Sequence, residues 1–574
     1  MEVGKPFNVV RKVDYLDRPW LKNYPASTPR DVEVPVVPIT QLIDESVKKY
    51  SERTALIFYG RKISYDELGK YIEKMASALH DLGIKKNSVV ALYLPTCPQF
   101  IMSYYAVQKL GAIPTAVSFL FSPREVREQL KDSGAECIIM IDLLYNKVKP
   151  VINELGVGRV ILTDITHFMP YLKKKLAVIL RKTPVANIPK DEPVCFLEDL
   201  IGRDAVDYPK VDIDPKREIA SIIYTSGTTG LPKGVSLTHY NIVACLEQVK
   251  AASGDAFEKS KYLLSYLPLF HIYGQNVIMT GGLAMGQTLI VILRPQYDEL
   301  LRYIEKYRIS LLFGVPALYR ILIERMKAKK GGCDLSSLKL CACGSDYTPQ
   351  KLKDEWKELT GVEITEGYGL TEAIPATGIP VGGEGKTGSI GYPLPSTLVA
   401  VADPERDEFV EVCELGELIV HGPQVMKGYW NSEKHPNPFA RIAGKVWLRT
   451  GDMGRMDEYG YFYMVERKKD IIKYKGYTII PGEVEEIIKE YEPVNEVAVI
   501  GVEAKEVELG QIVKAFIVLK DEHKEKTSKD DITNHCKDKL AAYKLPKEIE
   551  FIDELPKNAL GKIVRKELRK DGNQ

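Results

Sequence analysis

The segment YTSGTTGLPKG, residues 224–234, combines hydroxyl side chains, glycines and a lysine over a short stretch. Glycine lets the backbone approach a ligand closely, and hydroxyl and backbone N–H groups can surround anionic oxygen atoms. A lysine beside them adds a compact positive charge. The segment therefore predicts a phosphate site, and the candidate contacts are Thr225, Ser226, Gly227, Thr228, Thr229, Gly230 and Lys233.

The segment differs from the P-loop of many nucleotide-binding proteins. In the pattern G-x-x-x-x-G-K-[ST], the second glycine would fall at Pro232 when counting starts at Gly227. Proline has no N–H group and disfavours helical backbone at the preceding residue, Leu231. We therefore expect a flexible cover over phosphates that does not open a helix. From composition alone, a surface turn rich in Ser, Thr and Gly is the alternative.

The elements around this segment indicate layers of strands and helices. Strand-like runs such as VVALYLP (89–95) and IASIIYTSG (219–227) precede helical patterns at 98–111 and 239–251. Strands that are apolar on both faces and are joined by helices are typical of parallel sheets. The pattern predicts an α/β fold with parallel layers in the first three quarters of the chain.

The last part of the chain has a different pattern. Gly-rich turns and short strands from about 385 to 465 predict a β-rich lobe. After ERKKD (466–470), short helices and strands alternate, which predicts a small α+β domain. We therefore expect a large N-terminal domain over 1–468 and a small, mobile C-terminal domain over 469–574.

Composition excludes several classes of protein. The 574 residues include 79 Lys and Arg against 78 Asp and Glu, so no net field favours nucleic acid. The nine cysteines are irregularly spaced, and Cys341 and Cys343 form C-A-C rather than a C-x-x-C pair. Reduced thiols and an N-terminus without an apolar signal region predict a cytoplasmic protein.

One long segment without charged residues raises the question of whether the chain crosses a membrane. Residues 262–293 contain no Asp, Glu, Lys or Arg, and this length could span a bilayer. Pro268 and several glycines interrupt the segment, however, and it divides into strand, loop, helix and strand. We therefore expect a buried core segment.

Further short motifs follow along the chain in a fixed order. They are LPLFHIYGQ (267–275), GYGLTEA (367–373), GELIVHGPQVMKGYW (416–430), TGDMG (450–454), ERKKDIIKYKGYTIIPGEVE (466–485) and LPKNALGKIVRKEL (555–568). Together with 224–234, they resemble the signature of the adenylate-forming superfamily, which contains acyl-CoA synthetases, firefly luciferase and adenylation domains of peptide synthetases. The resemblance spans roughly residues 40–570, and GSIGYPLPST (388–397) is most similar to fatty-acyl-CoA synthetases.

The resemblance implies how ATP would be held. The triphosphate would lie at 225–230 beside Lys233, and Thr371 would form a hydrogen bond with the α-phosphate. Glu372 would hold Mg2+, a hard cation that prefers oxygen ligands. Tyr368 would stack on adenine, with a packed core tyrosine as the alternative. The other residues assigned to the nucleotide are Gly344, Ser345, Gly367 and Gly369, and, at the ribose, Asp452 and Arg467.

The resemblance also implies a two-step reaction with CoA as the second co-substrate. A carboxylate attacks the α-phosphorus of ATP, pyrophosphate leaves, and the CoA thiol then attacks the acyl-adenylate and releases AMP. Lys562 would stabilise the first step, and His271 would line the acyl pocket. Lys473 and Gly476 would serve CoA, and Lys469 would be the pivot on which the small domain rotates. A core histidine, a solvated lysine and, at Asp452, a turn residue are the alternatives.

The acid-free segment 262–293 bears on the substrate. A buried ammonium group needs a carboxylate partner, and this segment contains none, so an amino acid is disfavoured. Medium- or long-chain fatty acids fit best, and an aryl acid such as a coumarate or a benzoate is the alternative. A luciferase-like monooxygenase and a non-catalytic nucleotide-binding relative remain open as well.

A basic stretch predicts contact with lipid. YLKKKLAVILRK (171–182) has five basic residues and no acidic one, and its leucines and isoleucine share one helical face. A basic amphipathic helix suits the inner face of a membrane, and an ordinary surface helix is the alternative. Both a homodimer and a monomer remain open.

Overall fold

The computed structural model describes residues 14–179, 186, 188–189, 191–225, 233–329, 332–345, 348–474, 477–504, 510–558 and 561–571. The chain divides into two compact units. The first unit contains Trp20–Leu398 and Val420–Phe439, and the second contains Met1–Pro19, Val399–Ile419 and Ala440–Gln574. The boundary predicted between residues 468 and 469 stays a prediction.

An eight-stranded sheet carries the phosphate segment in the first unit. Six neighbouring strands run parallel to each other, and each of the two further strands at one edge pairs antiparallel with its inner neighbour. In spatial order, the strands are Gly428–Tyr429, Lys233–Thr238, Ile219–Thr225, Ile113–Ala116, Val89–Tyr93, Cys137–Ile141, Arg159–Thr163 and Cys195–Phe196.

Two smaller sheets complete the strands of this unit. The first has the order Tyr262–Ser265, Thr288–Val291, Thr54–Phe58 and Arg61–Ser64. The second has the order Leu311–Gly314, Leu340–Cys343, Ile364–Leu370, Ala373–Gly378 and Tyr392–Pro393.

The prediction of an α/β fold is confirmed, but the sheets are mixed rather than purely parallel. Each sheet of this unit combines parallel pairs with antiparallel ones. The reason is the length of the connections, since parallel neighbours need a crossover of a dozen or more residues. Only Tyr59 and Gly60, both with positive φ, join Thr54–Phe58 to Arg61–Ser64, and such a turn can form only a hairpin.

The helices surround these sheets. Helix Pro98–Lys109 is buried on all sides and packs against Tyr65–Asp81. The other helices of the first unit are Ile39–Lys49, Pro123–Ser133, Tyr145–Leu155, Tyr171–Ile179, Leu197–Gly202, His239–Ser253, Asp255–Lys259, Gly281–Ala284, Tyr297–Tyr307, Pro316–Ala328 and Gln350–Thr360, together with the π-helix Tyr273–Thr280.

The charge-free segment 262–293 lies in the core, as the sequence predicts. It forms the strand Tyr262–Ser265, the π-helix, a short helix and the strand Thr288–Val291, and most of its side chains are buried. Within the described part of the chain, no helix has both the length and the apolar character needed to cross a membrane.

The second unit contains the β-rich strands and the C-terminal elements. One of its sheets consists of Leu398–Ala402, Gly416–His421, Lys445–Met456, Phe439–Ile442 and Phe462–Arg467. The C-terminal elements are the hairpin Ile472–Tyr474 and Tyr477–Ile479, the sheet Val494–Glu503, Gln511–Leu519 and Glu548–Phe551, and the helices Pro481–Lys489, Lys529–Lys537 and Arg565–Asp571. The predicted α+β pattern after residue 470 is confirmed.

All nine cysteines lie among the described residues and none of them forms a disulfide, as the sequence predicts. Burial raises the pKa of Cys97, Cys137, Cys245 and Cys341 to about 12, so these groups stay protonated at neutral pH.

Candidate active site

The phosphate segment joins two antiparallel strands, Ile219–Thr225 and Lys233–Thr238. Thr225 and Lys233 are direct partners in the register, so the two ends of the segment lie side by side. Lys233 begins a strand, which confirms that the segment does not open a helix. The predicted contacts from Ser226 to Gly230 lie outside the described residues, and their role stays a prediction.

A polar cluster fixes the first strand of this hairpin. The Asp132 carboxylate accepts hydrogen bonds from the Tyr224 hydroxyl at 2.8 Å and from the Asn431 side-chain amide at 3.0 Å. The Lys434 ammonium lies 3.1 Å from the same carboxylate. These contacts lower the pKa of Asp132 against the opposing effect of burial, so the group remains ionised. The first residue of the phosphate segment is thereby anchored.

Thr371 and Glu372 form the turn of another hairpin. They connect Ile364–Leu370 to Ala373–Gly378, so both side chains project from a two-residue tip. The Glu372 carbonyl accepts a hydrogen bond from the Met426 N–H at 2.8 Å, which ties the turn to a neighbouring segment. The Glu372 carboxylate accepts a hydrogen bond from the Tyr429 hydroxyl at 2.9 Å.

The donor set around Glu372 suits magnesium. Mg2+ usually binds one or two protein carboxylates and keeps water and phosphate oxygens as its other ligands. Glu372 offers a hard carboxylate oxygen, and the described residues contain no cluster of three or more His, Cys, Asp and Glu that would form a full protein cage. A single carboxylate beside the predicted phosphate site would fit Mg2+ bound together with a nucleotide.

The residues predicted to contact adenine come together on adjacent strands. Gly344 follows the strand Leu340–Cys343, which pairs in parallel with Ile364–Leu370. A Cβ atom at Gly344 would lie 3.3 Å from the Gly367 carbonyl oxygen, so a side chain there would be crowded. Ser345 has a φ of 74°, and the Tyr368 ring is only 9% exposed. The burial of Tyr368 is compatible with a packed core residue, and its stacking on adenine stays a prediction.

His271 lies two residues before the N-terminus of the π-helix Tyr273–Thr280 and is half-buried. Its Nδ1 accepts a hydrogen bond from the Tyr273 N–H at 3.3 Å, which leaves the proton of the neutral ring on Nε2. Burial lowers the pKa of His271 to about 4. The ring is therefore a neutral hydrogen-bond donor at physiological pH and introduces no charge into this apolar segment.

Asp452 and Arg467 lie in the second unit and contact each other. They are register partners in the hairpin formed by Lys445–Met456 and Phe462–Arg467, and Arg467 Nε is 2.8 Å from Asp452 Oδ1. Asp452 is fully buried inside a strand, so the alternative of an ordinary turn residue is wrong. A buried carboxylate oriented by a guanidinium can accept hydrogen bonds from hydroxyl groups.

Lys562 lies in a tight turn of the second unit. The Asn558 side chain accepts a hydrogen bond from the Lys562 N–H at 3.0 Å, and Gly561 has a φ of 79°. Lys562 is close enough to the predicted pivot, Lys469, to influence it electrostatically. Burial is the main cause that lowers the pKa of Lys469, and the positive charges of Arg467, Arg569 and Lys562 contribute.

Ion pairs connect the last helix to the predicted pivot, and the sequence did not indicate them. Arg565 Nη1 lies 3.5 Å from the Glu466 carboxylate, and Arg569 Nη2 lies 2.6 Å from the Asp470 carboxylate. The two acidic residues stand on either side of Lys469. Arg565 also contacts Glu485 at 2.7 Å. The basic end of the chain is therefore partly held by ion pairs rather than fully solvated.

The predicted site residues fall into the two units. The first unit holds Thr225, Lys233, His271, Gly344, Ser345, Gly367, Tyr368, Gly369, Thr371 and Glu372. The second holds Asp452, Arg467, Lys473 and Lys562. Lys473 lies in the strand Ile472–Tyr474, and Gly476, next to this strand, lies outside the described residues. Tyr429 belongs to the motif at 416–430, and no pattern in the sequence assigns it a role.

Comparison with known proteins identifies the family of this chain. Residues 43–430 match the AMP-binding enzyme family, and residues 483–562 match the AMP-binding enzyme C-terminal domain. The chain is 37% identical over 556 residues to the long-chain-fatty-acid–CoA ligase of Bacillus subtilis (strain 168), covering 96% of this chain and 97% of that protein. It is 34% identical over 558 residues to the long-chain-fatty-acid–CoA ligase of Escherichia coli O157:H7, with 96% and 97% covered.

A solved structure of similar fold contains a nucleotide. The o-succinylbenzoate coenzyme A synthetase of Bacillus subtilis, in complex with ATP and magnesium ion, matches with a TM-score of 0.73 and 27% identity. The match covers 92% of this chain and 98% of that one. Fold and site together define an ATP-dependent ligase that joins an acid to a thiol. The chain belongs to the family of AMP-binding enzymes, and within it the protein is an AMP-forming acyl-CoA ligase.

The low pKa of His271 predicts how stability depends on pH. An unfolded histidine binds a proton near pH 6.5, whereas the folded ring does so only near pH 4. The neutral His271 ring therefore contributes fully to the free energy of unfolding above pH 6.5. This contribution is lost as the pH falls from 6.5 towards 4, because the unfolded chain then binds a proton that the folded ring does not. We expect it to decrease by about 2 kcal/mol between pH 7.5 and pH 5.

Urea denaturation of the parent and of His271→Gln at both pH values measures this effect. The glutamine variant should lose less stability on acidification than the parent. The matched control is His80→Gln, which makes the same substitution at an exposed histidine outside the candidate site. Equal acid sensitivity of the parent and His271→Gln would contradict the prediction.

Proposed function

We propose that this protein is a long-chain fatty acid–CoA ligase that requires Mg2+. The observation that carries the substrate assignment is the acid-free segment 262–293, whose side chains are mostly buried and whose histidine is neutral. An alkyl chain can enter such surroundings without leaving a charge unpaired, whereas a substrate ammonium group would find no carboxylate partner on this segment. The full-length similarity to two long-chain ligases supports the same substrate.

In the first step, one oxygen of the fatty acid carboxylate bonds to the α-phosphorus of ATP. The bond between that phosphorus and the bridging oxygen breaks, and pyrophosphate leaves with the electron pair. Lys562 would place its ammonium between the carboxylate and the α-phosphate, and Thr371 would donate a hydrogen bond to the α-phosphate. Fixed positive groups are effective here because charge develops on phosphate oxygens. Mg2+ held by Glu372 would neutralise part of that charge.

In the second step, the sulfur of CoA bonds to the acyl carbon, and AMP leaves with the former carboxylate oxygen. The thiol proton is lost before or during the attack, because the thiolate is the nucleophile. We assign His271 to the wall of the acyl pocket, where its Nε2–H can donate to an oxygen of the acyl group. Lys473 and Gly476 are assigned to CoA, with Gly476 leaving room for the pantetheine arm.

The two steps need different groups from the C-terminal domain. Lys562 and Gly476 are far apart in the sequence of that domain. We propose that a rotation about Lys469 brings first Lys562 and then Gly476 to the acyl-adenylate. The ion pairs on either side of Lys469 make this residue a defined junction between the strand Phe462–Arg467 and the elements after it. Proline at this position would restrict the backbone because it fixes φ.

We also propose that the helix Tyr171–Ile179 contacts the surface of an anionic membrane. Tyr171 and Leu172 are 75% and 77% exposed, which is unusual for large apolar residues. Lys175 is exposed too, whereas Lys173 donates to the Tyr59 carbonyl and Lys174 pairs with Asp164. The basic residues after Ile179 lie outside the described part. Apolar side chains beside positive charges suit the lipid interface.

The substrate assignment predicts the products of an acid panel. With ATP, Mg2+ and CoA, long-chain fatty acids should give acyl-CoA, AMP and pyrophosphate in equal amounts. Their kcat/KM should exceed that of 4-coumarate and benzoate by at least about tenfold, since each buried methylene contributes to binding. Faster turnover of the aryl acids would favour the aryl alternative. ADP and phosphate as products, or a preference for amino acids, would contradict the proposal altogether.

The rotation predicts opposite defects in the two half-reactions. Lys562→Ala should slow adenylation by about a hundredfold or more and spare thioester formation from supplied acyl-adenylate. Gly476→Leu should do the reverse, because its side chain would obstruct the thiol arm. Lys469→Pro should impair thioester formation more than adenylation. Single-turnover assays of each half-reaction measure these effects, and equal losses in both steps for all three variants would indicate one static site.

The membrane contact predicts weaker vesicle binding after two changes. Leu172→Asp combined with Lys175→Glu should reduce the affinity for phosphatidylserine-containing vesicles by at least about fivefold. Turnover of a soluble short-chain acid should stay the same, because neither residue belongs to the candidate site. Leu359→Asp, at another exposed leucine, is the control. If the parent does not sediment with these vesicles, or if the double variant sediments equally well, the helix has no such role.

A further inference from the structure

The segment 425–431, which we call the strap, contacts both elements that bear candidate phosphate-binding groups. On one side, Val425 bridges Ala373, and the Met426 N–H donates to the Glu372 carbonyl. On the other side, Gly428–Tyr429 adds a short antiparallel strand to Lys233–Thr238. The strap therefore holds the Glu372 turn and the strand that begins at Lys233 in a fixed relation.

The side chain of Tyr429 repeats this connection. Its hydroxyl donates a hydrogen bond to Glu372 Oε1 at 2.9 Å, and its ring lies 5.0 Å from Lys233 Nζ, measured to the ring centroid. A hydrogen bond to a charged carboxylate is about twice as strong as one between neutral groups. An ammonium over the face of a tyrosine is attracted by the ring quadrupole. One residue thus contacts both the carboxylate and the cation.

We infer that Tyr429 is a positioning residue for the magnesium–triphosphate end of ATP, an inference that rests on the role proposed above for Glu372. The Tyr429 hydroxyl fixes the rotation of the Glu372 carboxylate, so that this group is oriented before the metal arrives. The ring keeps the Lys233 ammonium at the same edge of the site. A metal ligand that is held in place loses less freedom on binding, and partners of ligating carboxylates commonly tune metal affinity in this way.

The geometry of the strap explains how Tyr429 can orient the Glu372 carboxylate. Tyr429 is the register partner of Val235, two residues after Lys233, so its backbone position is set by the same sheet that carries the phosphate segment. The Trp430 N–H donates to the Gly234 carbonyl at 2.7 Å, which secures the next residue. A Cβ atom at Gly234 would lie 2.9 Å from the Ile222 side chain and 3.1 Å from that of Trp430. Glycine at 234 therefore permits the close packing of the strap.

Tyr429→Phe is the decisive variant, because it removes the hydroxyl and keeps the ring near Lys233. The affinity for Mn2+ in the presence of a non-hydrolysable ATP analogue, followed by electron paramagnetic resonance, should fall about tenfold. In turnover assays, the Mg2+ concentration for half-maximal rate should rise by a similar factor. The kcat at saturating Mg2+ should change less than threefold. The melting temperature without ligand should stay within about 2 °C of the parent.

Two further variants separate this inference from the proposed function. Tyr303→Phe removes a comparable hydrogen bond, from Tyr303 to Glu299 at 2.6 Å, and should leave the Mn2+ affinity unchanged. Glu372→Gln should weaken Mn2+ binding more than Tyr429→Phe does. Adding Tyr429→Phe to Glu372→Gln should cause little further loss, because the hydroxyl acts through the carboxylate.

Each outcome of this set has a definite meaning. Unchanged Mn2+ affinity in Tyr429→Phe, with a strong loss in Glu372→Gln, would overturn the inference and leave the metal role of Glu372 intact. Unchanged affinity in Glu372→Gln would overturn both the inference and that role. A loss in Tyr429→Phe that is fully additive with Glu372→Gln would show that the tyrosine does not act through the carboxylate, which also overturns the inference.

Discussion

The antiparallel pairing of Ile219–Thr225 with Lys233–Thr238 is the interaction on which the candidate site depends. It places the two ends of the phosphate segment side by side. It also adds an antiparallel strand, Lys233–Thr238, to the edge of the parallel strands. The free edge of that strand then receives Gly428–Tyr429 as a further strand. Without this edge, the strap could not connect the strand of Lys233 to the turn that carries Glu372. The sheet thus pairs the strand that begins at Lys233 with Tyr429, nearly two hundred residues later in the sequence.

Much of this arrangement follows from local patterns in the sequence. The apolar runs at 89–95 and 219–227 contain the buried strands Val89–Tyr93 and Ile219–Thr225, because an apolar run bounded by turn residues can satisfy its polar backbone within a sheet. Pro232 correctly argues against a helix directly after the phosphate segment. The charge-free segment 262–293 is buried, as its composition requires. These features depend on neighbours along the chain, which is why a single sequence reveals them.

The remaining features depend on pairing between distant residues. Thr371 and Glu372 occupy a two-residue turn, but their segment contains no Asn-Gly or similar signal that would mark one. The contact of Tyr429 with Glu372 and the pairs of Arg565 and Arg569 with acidic partners join residues 57 to 99 positions apart. Periodicity carries no information about such contacts. The sequence motifs predict which residues form the candidate site, whereas the partners of its charged groups follow only from the fold.

The ion pairs beside Lys469 also have an energetic consequence. Arg565 contacts Glu466 before this residue, and Arg569 contacts Asp470 after it, although both arginines belong to one short helix. A rotation of the backbone at Lys469 would move the carboxylates of Glu466 and Asp470 apart. The helix Arg565–Asp571 is rigid and can stay with only one of them. Arg565 keeps Glu485 as a second partner, so separating it from Glu466 costs less than the about 3 to 5 kcal/mol of leaving a buried charge unpaired. Since 1.4 kcal/mol changes an equilibrium tenfold, even this smaller cost shifts the relative populations of two arrangements.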